Sequence, residues 1–372
     1  MKIAIIGSGS WGTALAQVLA DNQHEVIIWG RNLDELVDIQ VHHMNEKYFP
    51  GVSINEEIKA STELTPLIDA DVFLLAIPSE AIEDVCNTIN ENVKHPIIVV
   101  NVSKGFHPVT HQRLSVYIKE KINPSILKEV VSLIGPSHAE EVILRLPTIV
   151  NSVCESEEYS KVIQELFSNK YFRVYRNTDV IGAEIGVAIK NIIALASGMI
   201  QGLGYGDNAR AALITRGLAE ITRYGIAMGA KPETFLGLTG VGDLVVTCTS
   251  VHSRNFQAGL LIGKHDSAKF FWETNTKTVE GVKAAKIIHE EAKQKGIYMP
   301  ITEEVYKVLF ENYTPSVSVV NLMQKELNAL PEPKCQNCEN FKGRLCDKFM
   351  AEPPEHILAT GCPEWEFDHI PF

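Results

Sequence analysis

The sequence has no excess of basic residues, no uninterrupted apolar run of membrane-spanning length, no internal repeat and no low-complexity tract. Its 34 Lys and Arg face 46 Asp and Glu, a formal net charge of −12. That balance argues against non-specific binding to nucleic acid or anionic membranes. It leaves room for a phosphorylated small molecule, which a few local cations can hold. The longest apolar stretch, Ile185 to Ile200, is interrupted by Lys190 and Asn191, so no membrane span is expected. No basic region, long apolar core and small-residue cleavage site precede the first apolar segment, Lys2-Ile3-Ala4-Ile5-Ile6, and a cytoplasmic location follows as the expectation. What is present is globular: 45% apolar and 22% charged residues in 372, enough chain for two ordinary domains.

Short β-branched runs alternate with amphipathic segments in the first half. Strands are expected at Lys2–Ile6, Glu25–Trp29, Asp71–Ile77, Ile97–Val102, Val130–Ile134 and Thr148–Val153, with helical patterns such as Gly12–Asn22 and Glu80–Asn92 between them. This alternation implies βαβ units and a parallel sheet covered on both faces. From about residue 180 the texture changes to helix, at Val180–Leu203, Asn208–Met228, Gly281–Lys295 and Thr302–Glu311. Arg176-Asn177-Thr178-Asp179 supplies a helix entry, so the domain boundary is read there. Leu330-Pro331-Glu332-Pro333 then sets off a separate tail.

Gly7-Ser8-Gly9-Ser10-Trp11-Gly12 fits G-x-G-x-x-G between an expected strand and an expected helix. In that context the first glycine permits a tight turn, the second admits a pyrophosphate, and the third lets helix and strand pack closely. The end of the second strand carries Arg31 where an NAD-specific site usually has an acid. A guanidinium suits a 2′-phosphate and so NADP, although it also packs over an adenine without discriminating.

Lys190 lies in a helix that is apolar nearly all round. Such a lysine is paired, reaches out to water, or has a lowered pKa, and the last would make it a proton donor near neutral pH. Lys104 and the run Gly135-Pro136-Ser137-His138-Ala139 both follow strands, where open α/β sheets bind ligands. Each is also consistent with an ordinary loop, and His138 alone is a weak signal. Gly240-Val241-Gly242-Asp243 suggests a turn that aims a carboxylate, and Ser253-Arg254-Asn255 offers donors suited to phosphate or a simple helix cap.

Together these segments resemble the bacterial-type NAD(P)-dependent glycerol-3-phosphate dehydrogenases, in order and at family-like spacing over roughly residues 1–330. The most specific runs are Gly7–Gly12, Ser103-Lys104-Gly105, Gly135–Glu141, Glu184–Asn191, Gly202–Leu218, Gly242-Asp243-Leu244, Ser253-Arg254-Asn255 and Val279-Glu280-Gly281. The resemblance implies a Rossmann-type α/β domain over 1–180. It implies an all-α domain of the 6-phosphogluconate dehydrogenase C-terminal type over 181–330. It also implies NAD(P)H as cofactor, dihydroxyacetone phosphate and sn-glycerol 3-phosphate as substrates, a role in phospholipid synthesis, and a homodimer. By the same resemblance Lys190 is the general acid/base, Asp243 its acidic partner, and Lys104 a catalytic residue that binds substrate oxygens. Arg254 and Asn255 would grip the phosphate, with Gly135, Ser137 and Ser253 close by. Gly7, Gly9, Ser10, Trp11, Gly12, Arg31, Lys104, Ala139, Arg254 and Glu280 would line the dinucleotide.

The resemblance stops before the tail, residues 331–372. Of the seven cysteines, four fall there as Cys335-x2-Cys338-x7-Cys346-x15-Cys362. Four thiolates suit a zinc ion or an iron–sulfur cluster; disulfides and free thiols are the alternatives.

Overall fold

The computed structural model describes residues 1–324 and two short strand segments, Phe341–Lys342 and Leu345–Cys346. Cys335, Cys338 and Cys362 of the expected metal site lie outside the described residues. Cys346 is a free thiol there, and no metal-competent group of His, Cys, Asp or Glu occurs among the described residues. By contacts the chain divides into two units, Met1–Pro315 and Ser316–Phe372.

Eight strands form one sheet: β1 (Lys2–Ile6), β2 (Glu25–Trp29), β3 (Lys59–Ser61), β4 (Val72–Leu75), β5 (Ile97–Asn101), β6 (Leu127–Ile134), β7 (Thr148–Val153) and β8 (Phe172–Asn177), in the order 3-2-1-4-5-6-7-8. In the central strands alternate residues enter opposite cores. Ile3, Ile5, Val26, Ile28, Val72 and Leu74 share one with the helix Ser10–Asp21, while Ala4, Ile6, Phe73, Leu75 and Val99 share the other with the helix Ile82–Asn92. Continuous apolar strands are what burial on both faces requires. The order reverses at β1, between β2 and β4, which opens a crevice at the carboxyl ends of these strands.

One expectation is corrected: the sheet is mixed, because β7 runs antiparallel to β6. The connection, residues 135–147, contains only the five-residue helix Ala139–Ile143, shorter than the helix that usually carries a parallel crossover. β3 and β8 also escaped the sequence reading, β3 because it has three residues and β8 because it alternates Phe-Arg-Val-Tyr-Arg-Asn at the sheet edge.

After β8 the chain is helical. Val180–Gly202 is long and apolar enough to cross a membrane by composition, but 89% of its apolar window is buried within the protein, so it serves as the core helix. Asp179 starts it: Oδ1 accepts from Gly182 N at 3.0 Å, while Oδ2 accepts from Lys231 N at 2.9 Å and from Thr234 Oγ1 at 2.6 Å. Glu184 ties the same helix to the sheet layer, accepting from Arg113 at 3.1 Å and from the hydroxyls of Ser115 and Ser132 at 2.8 Å each.

The helix Arg254–Lys264 crosses the core helix at backbone contact. A Cβ on Gly198 would strike the Phe256 carbonyl, and one on Gly259 would strike the carbonyl of Leu195. This approach seats the start of one helix beside Lys190 on the other. Gly259→Val is therefore expected to push the helices apart and to destabilise the fold by about 1–3 kcal/mol. Urea unfolding checks this.

Candidate active site

The crevice above β1 and β2 is shaped for a dinucleotide. Gly7 has φ +120°, and a Cβ there would collide with the Ala76 carbonyl, while one on Gly12 would collide with the Gly7 carbonyl. Gly9 is different: no atom of the described residues lies within 4 Å of where its Cβ would stand. The following helix, Ser10–Asp21, has Gly9 at its N-cap with no side-chain cap and no acid in its first turn. Its leading N–H groups thus face open space with the positive end of the helix dipole behind them, the arrangement that suits a pyrophosphate. These residues fit the cofactor that the sequence implied.

Ser8 in that loop donates to Glu35 Oε2 at 2.7 Å, and Lys47 pairs with Glu35 Oε1 at 2.6 Å. Sequence reading missed Glu35, which is 23 positions beyond Gly12 on the short helix Leu33–Val37. Arg31 is exposed just past β2.

Lys190 is buried, its side chain 2% exposed, and ion-paired with Asp243, which is buried to the same degree. Its ammonium also donates to Thr247 Oγ1 at 3.0 Å, and that hydroxyl donates to the Asp243 carbonyl one turn back at 2.6 Å. Asp243 opens the helix Asp243–Thr249 directly after the wide turn Leu238–Gly242, so the glycines do aim the carboxylate. Burial pulls the Lys190 pKa down to about 8; Asp243 opposes the fall and the Lys104 charge adds to it. An ammonium that gives up its proton near neutrality is a usable acid. Cys248, beside the pair, is pushed up to about 12 by burial and stays a thiol.

Lys104 stands in the loop after β5. Ser103 holds that loop against the end of β4 by donating to the Ile77 carbonyl at 2.6 Å. Lys104 itself has no hydrogen bond or ion pair among the described residues, and its charge is felt at both Lys190 and His138. The loop after β6 approaches from the other side. A Cβ on Gly135 would meet Val150 Cα at 2.8 Å, and Pro136 packs near Gly242. Ser137 turns its hydroxyl back to the Gly135 carbonyl at 3.0 Å, leaving the oxygen able to accept.

Ser253 is a helix cap, accepting from Phe256 N at 3.2 Å, and Arg254 is exposed at the first position of the helix it starts. Asn255 is buried and largely committed. Its Nδ2 donates to Asn191 Oδ1 at 2.9 Å and its Oδ1 accepts from Gly281 N at 2.8 Å, so one N–H remains for a ligand. Glu280 begins the helix Glu280–Lys295 and is half-buried. Burial raises its pKa, and its carboxylate lies 3.4 Å from the position a Cβ on Gly105 would take. Lys283 on the same helix pairs with both Glu280 and Glu80. The structure thus gathers Lys104, Lys190, Asp243 and the Gly135–Ala139 loop, and ties Asn255 and Glu280 to them through Asn191 and Gly105.

A family model described as the NAD-dependent glycerol-3-phosphate dehydrogenase N-terminus matches residues 2–160, and the corresponding C-terminus model matches 179–320. A glycerol-3-phosphate dehydrogenase [NAD(P)+] of Listeria monocytogenes serotype 4b is 51% identical over 327 residues, covering 87% of this chain and 96% of its own. One from Halalkalibacterium halodurans is 49% identical over 322 residues, covering 87% and 93%. The crystal structure of the glycerol-3-phosphate dehydrogenase of Coxiella burnetii superimposes with a TM-score of 0.81 at 35% identity, over 87% of this chain and 99% of that one.

Proposed function

The chain belongs to the NAD-dependent glycerol-3-phosphate dehydrogenase family, and on that premise we propose how its residues interconvert dihydroxyacetone phosphate and sn-glycerol 3-phosphate. The observation that carries the proposal is the buried Lys190–Asp243 pair within reach of the charge of Lys104, which has no ion pair among the described residues. The dinucleotide, when bound, supplies or accepts the hydride. Gly7, Gly9, Ser10, Trp11 and Gly12 hold its pyrophosphate end and Arg31 its adenosine end, with Ala139, Arg254 and Glu280 further along.

Lys190 gives its proton to the carbonyl oxygen as negative charge grows there and takes it back in the reverse reaction. Asp243 and Thr247 fix the ammonium so that no reorganisation is needed at that moment. Lys104 adds a second positive charge against the developing alkoxide and binds the substrate oxygens. Arg254 and the free N–H of Asn255 grip the phosphate, with Ser253, Gly135 and Ser137 alongside. Binding energy from that remote dianion orients the reacting carbon.

We assign residues 1–180 to cofactor binding and 181–330 to catalysis, in a cytoplasmic homodimer that supplies glycerol 3-phosphate for phospholipid synthesis. For the tail we propose one zinc ion or iron–sulfur cluster on Cys335, Cys338, Cys346 and Cys362. Elemental analysis of the purified chain should then find zinc or iron, and a metal-free protein would remove this reading.

Absorbance at 340 nm tests the reading, with dihydroxyacetone phosphate and NADH or NADPH in parallel. A substrate-dependent fall is expected with at least one cofactor, and the faster one reports what Arg31 recognises. A flat trace with both, from folded protein, overturns the proposal.

A further inference from the structure

His138 is placed where a substrate contact would be. It caps the short helix Ala139–Ile143, between Ser137 and Ala139, just beyond the end of β6. Its ring lies 5.8 Å, centre to centre, from that of His252, which immediately precedes Ser253 and Arg254. The Val246 backbone adjoins it from the helix that carries Asp243 and Thr247. The imidazole is therefore inside the group of elements that encloses Lys190, not on the outer surface of its loop.

Its Nε2 is closed off from solvent and has no hydrogen-bond partner among the described residues. A buried nitrogen left in that condition is costly, so it calls for a ligand atom. The protein's own donors do not answer it. The Lys190 ammonium is taken by Asp243 and Thr247, and Lys104 acts on the ring through its charge without bonding to it.

The ionisation of the ring decides what kind of atom fits. The titratable and charged groups around it are His252, whose ring it faces, and Lys104, Glu140 and Lys190. Burial, then the two lysines, lower its pKa, outweighing Glu140 and the Val246 backbone, which act the other way. A neutral imidazole offers one bare nitrogen, which accepts from a hydroxyl and gains nothing from a phosphate oxygen. Val246 lies on the helix whose Asp243 pairs with Lys190, which puts the ring on the side of the reacting carbonyl.

We propose that His138 is a specificity-determining residue whose Nε2 accepts a hydrogen bond from the substrate's terminal hydroxyl, the one on the carbon next to the carbonyl. The inference rests on the assignment of Lys104 and Lys190 to that carbonyl. It explains how the enzyme would reject a ketone phosphate that lacks the hydroxyl, since the buried nitrogen would then stay unpaired.

The experiment compares dihydroxyacetone phosphate with acetol phosphate, the same molecule with hydrogen in place of that hydroxyl, in the wild type, His138→Ala and His138→Gln. The wild type should prefer dihydroxyacetone phosphate in kcat/KM by about 10- to 100-fold. His138→Ala should lose that preference, by a fall on dihydroxyacetone phosphate with little change on the analogue. His138→Gln keeps an acceptor and should restore part of it. It also carries the test if the alanine variant does not fold. An unchanged preference in the variants, equal falls on both substrates, or a wild type indifferent to the hydroxyl overturns the inference. A wild type inactive on dihydroxyacetone phosphate overturns instead the reading of the site on which it rests.

Discussion

Lys190→Met is expected to lower kcat for dihydroxyacetone phosphate reduction by roughly 10²- to 10⁴-fold, the contribution of a positioned general acid, while cofactor binding is retained. Methionine is similar to lysine in length but brings no proton. It leaves Asp243 buried without its cation, so some stability is lost as well. Stopped-flow and fluorescence titration with NAD(P)H separate the two effects, because a folded variant still binds the dinucleotide at the glycine loop. Asp243→Asn should act in a defined direction. Asp243 holds the Lys190 pKa up against burial, so without it the ammonium is lost at lower pH. Reduction should then suffer more at pH 8 than at pH 6.

The second large effect is on stability. Glu184 is 6% exposed and accepts from Arg113, Ser115 and Ser132 at once, pinning the core helix to β6 and to the helix Leu114–Lys121. Glu184→Ala leaves two buried hydroxyls and a guanidinium without their acceptor. Losing one partner of a buried pair costs about 3–5 kcal/mol. Arg113 keeps some contact with water, so the lower figure applies, about 3 kcal/mol by urea unfolding. Arg113→Met keeps the two serine bonds but leaves the Glu184 carboxylate buried without its cation, so it should destabilise by a comparable amount.

Much of this was legible in the sequence, and the reasons differ by element. The glycine loop could be read because each glycine answers a local collision, at Ala76 or at Gly7 itself. Lys190 stood out because a charge inside an apolar helix violates the burial pattern, and the change at Asp179 coincides with a real capping network. What stayed hidden depends on distant partners. Asn255 reads as a phosphate donor, yet it spends most of its amide bridging Asn191 and Gly281, which are 64 and 26 positions away. Glu35 meets Ser8 only once β1 and β2 are paired, and the antiparallel direction of β7 is set by its pairing with β6 rather than by a local signal. The cap at Ser253 was one of two readings that spacing allowed, and the structure contains it.

The central claim is that the Lys190 ammonium, kept near neutrality by burial, supplies the proton for carbonyl reduction. Its most direct test is the pH dependence of kcat/KM for dihydroxyacetone phosphate reduction, which reports the groups of the free enzyme, in the wild type and in Lys190→Met. The wild-type rate should be level below a pKa near 8 and fall about tenfold per pH unit above it, as the ammonium is lost. Glycerol 3-phosphate oxidation should rise through the same region, since it needs the neutral amine. The variant's residual rate should lack both limbs. A reduction rate that stays level to high pH, or the same break in Lys190→Met, would contradict the assignment.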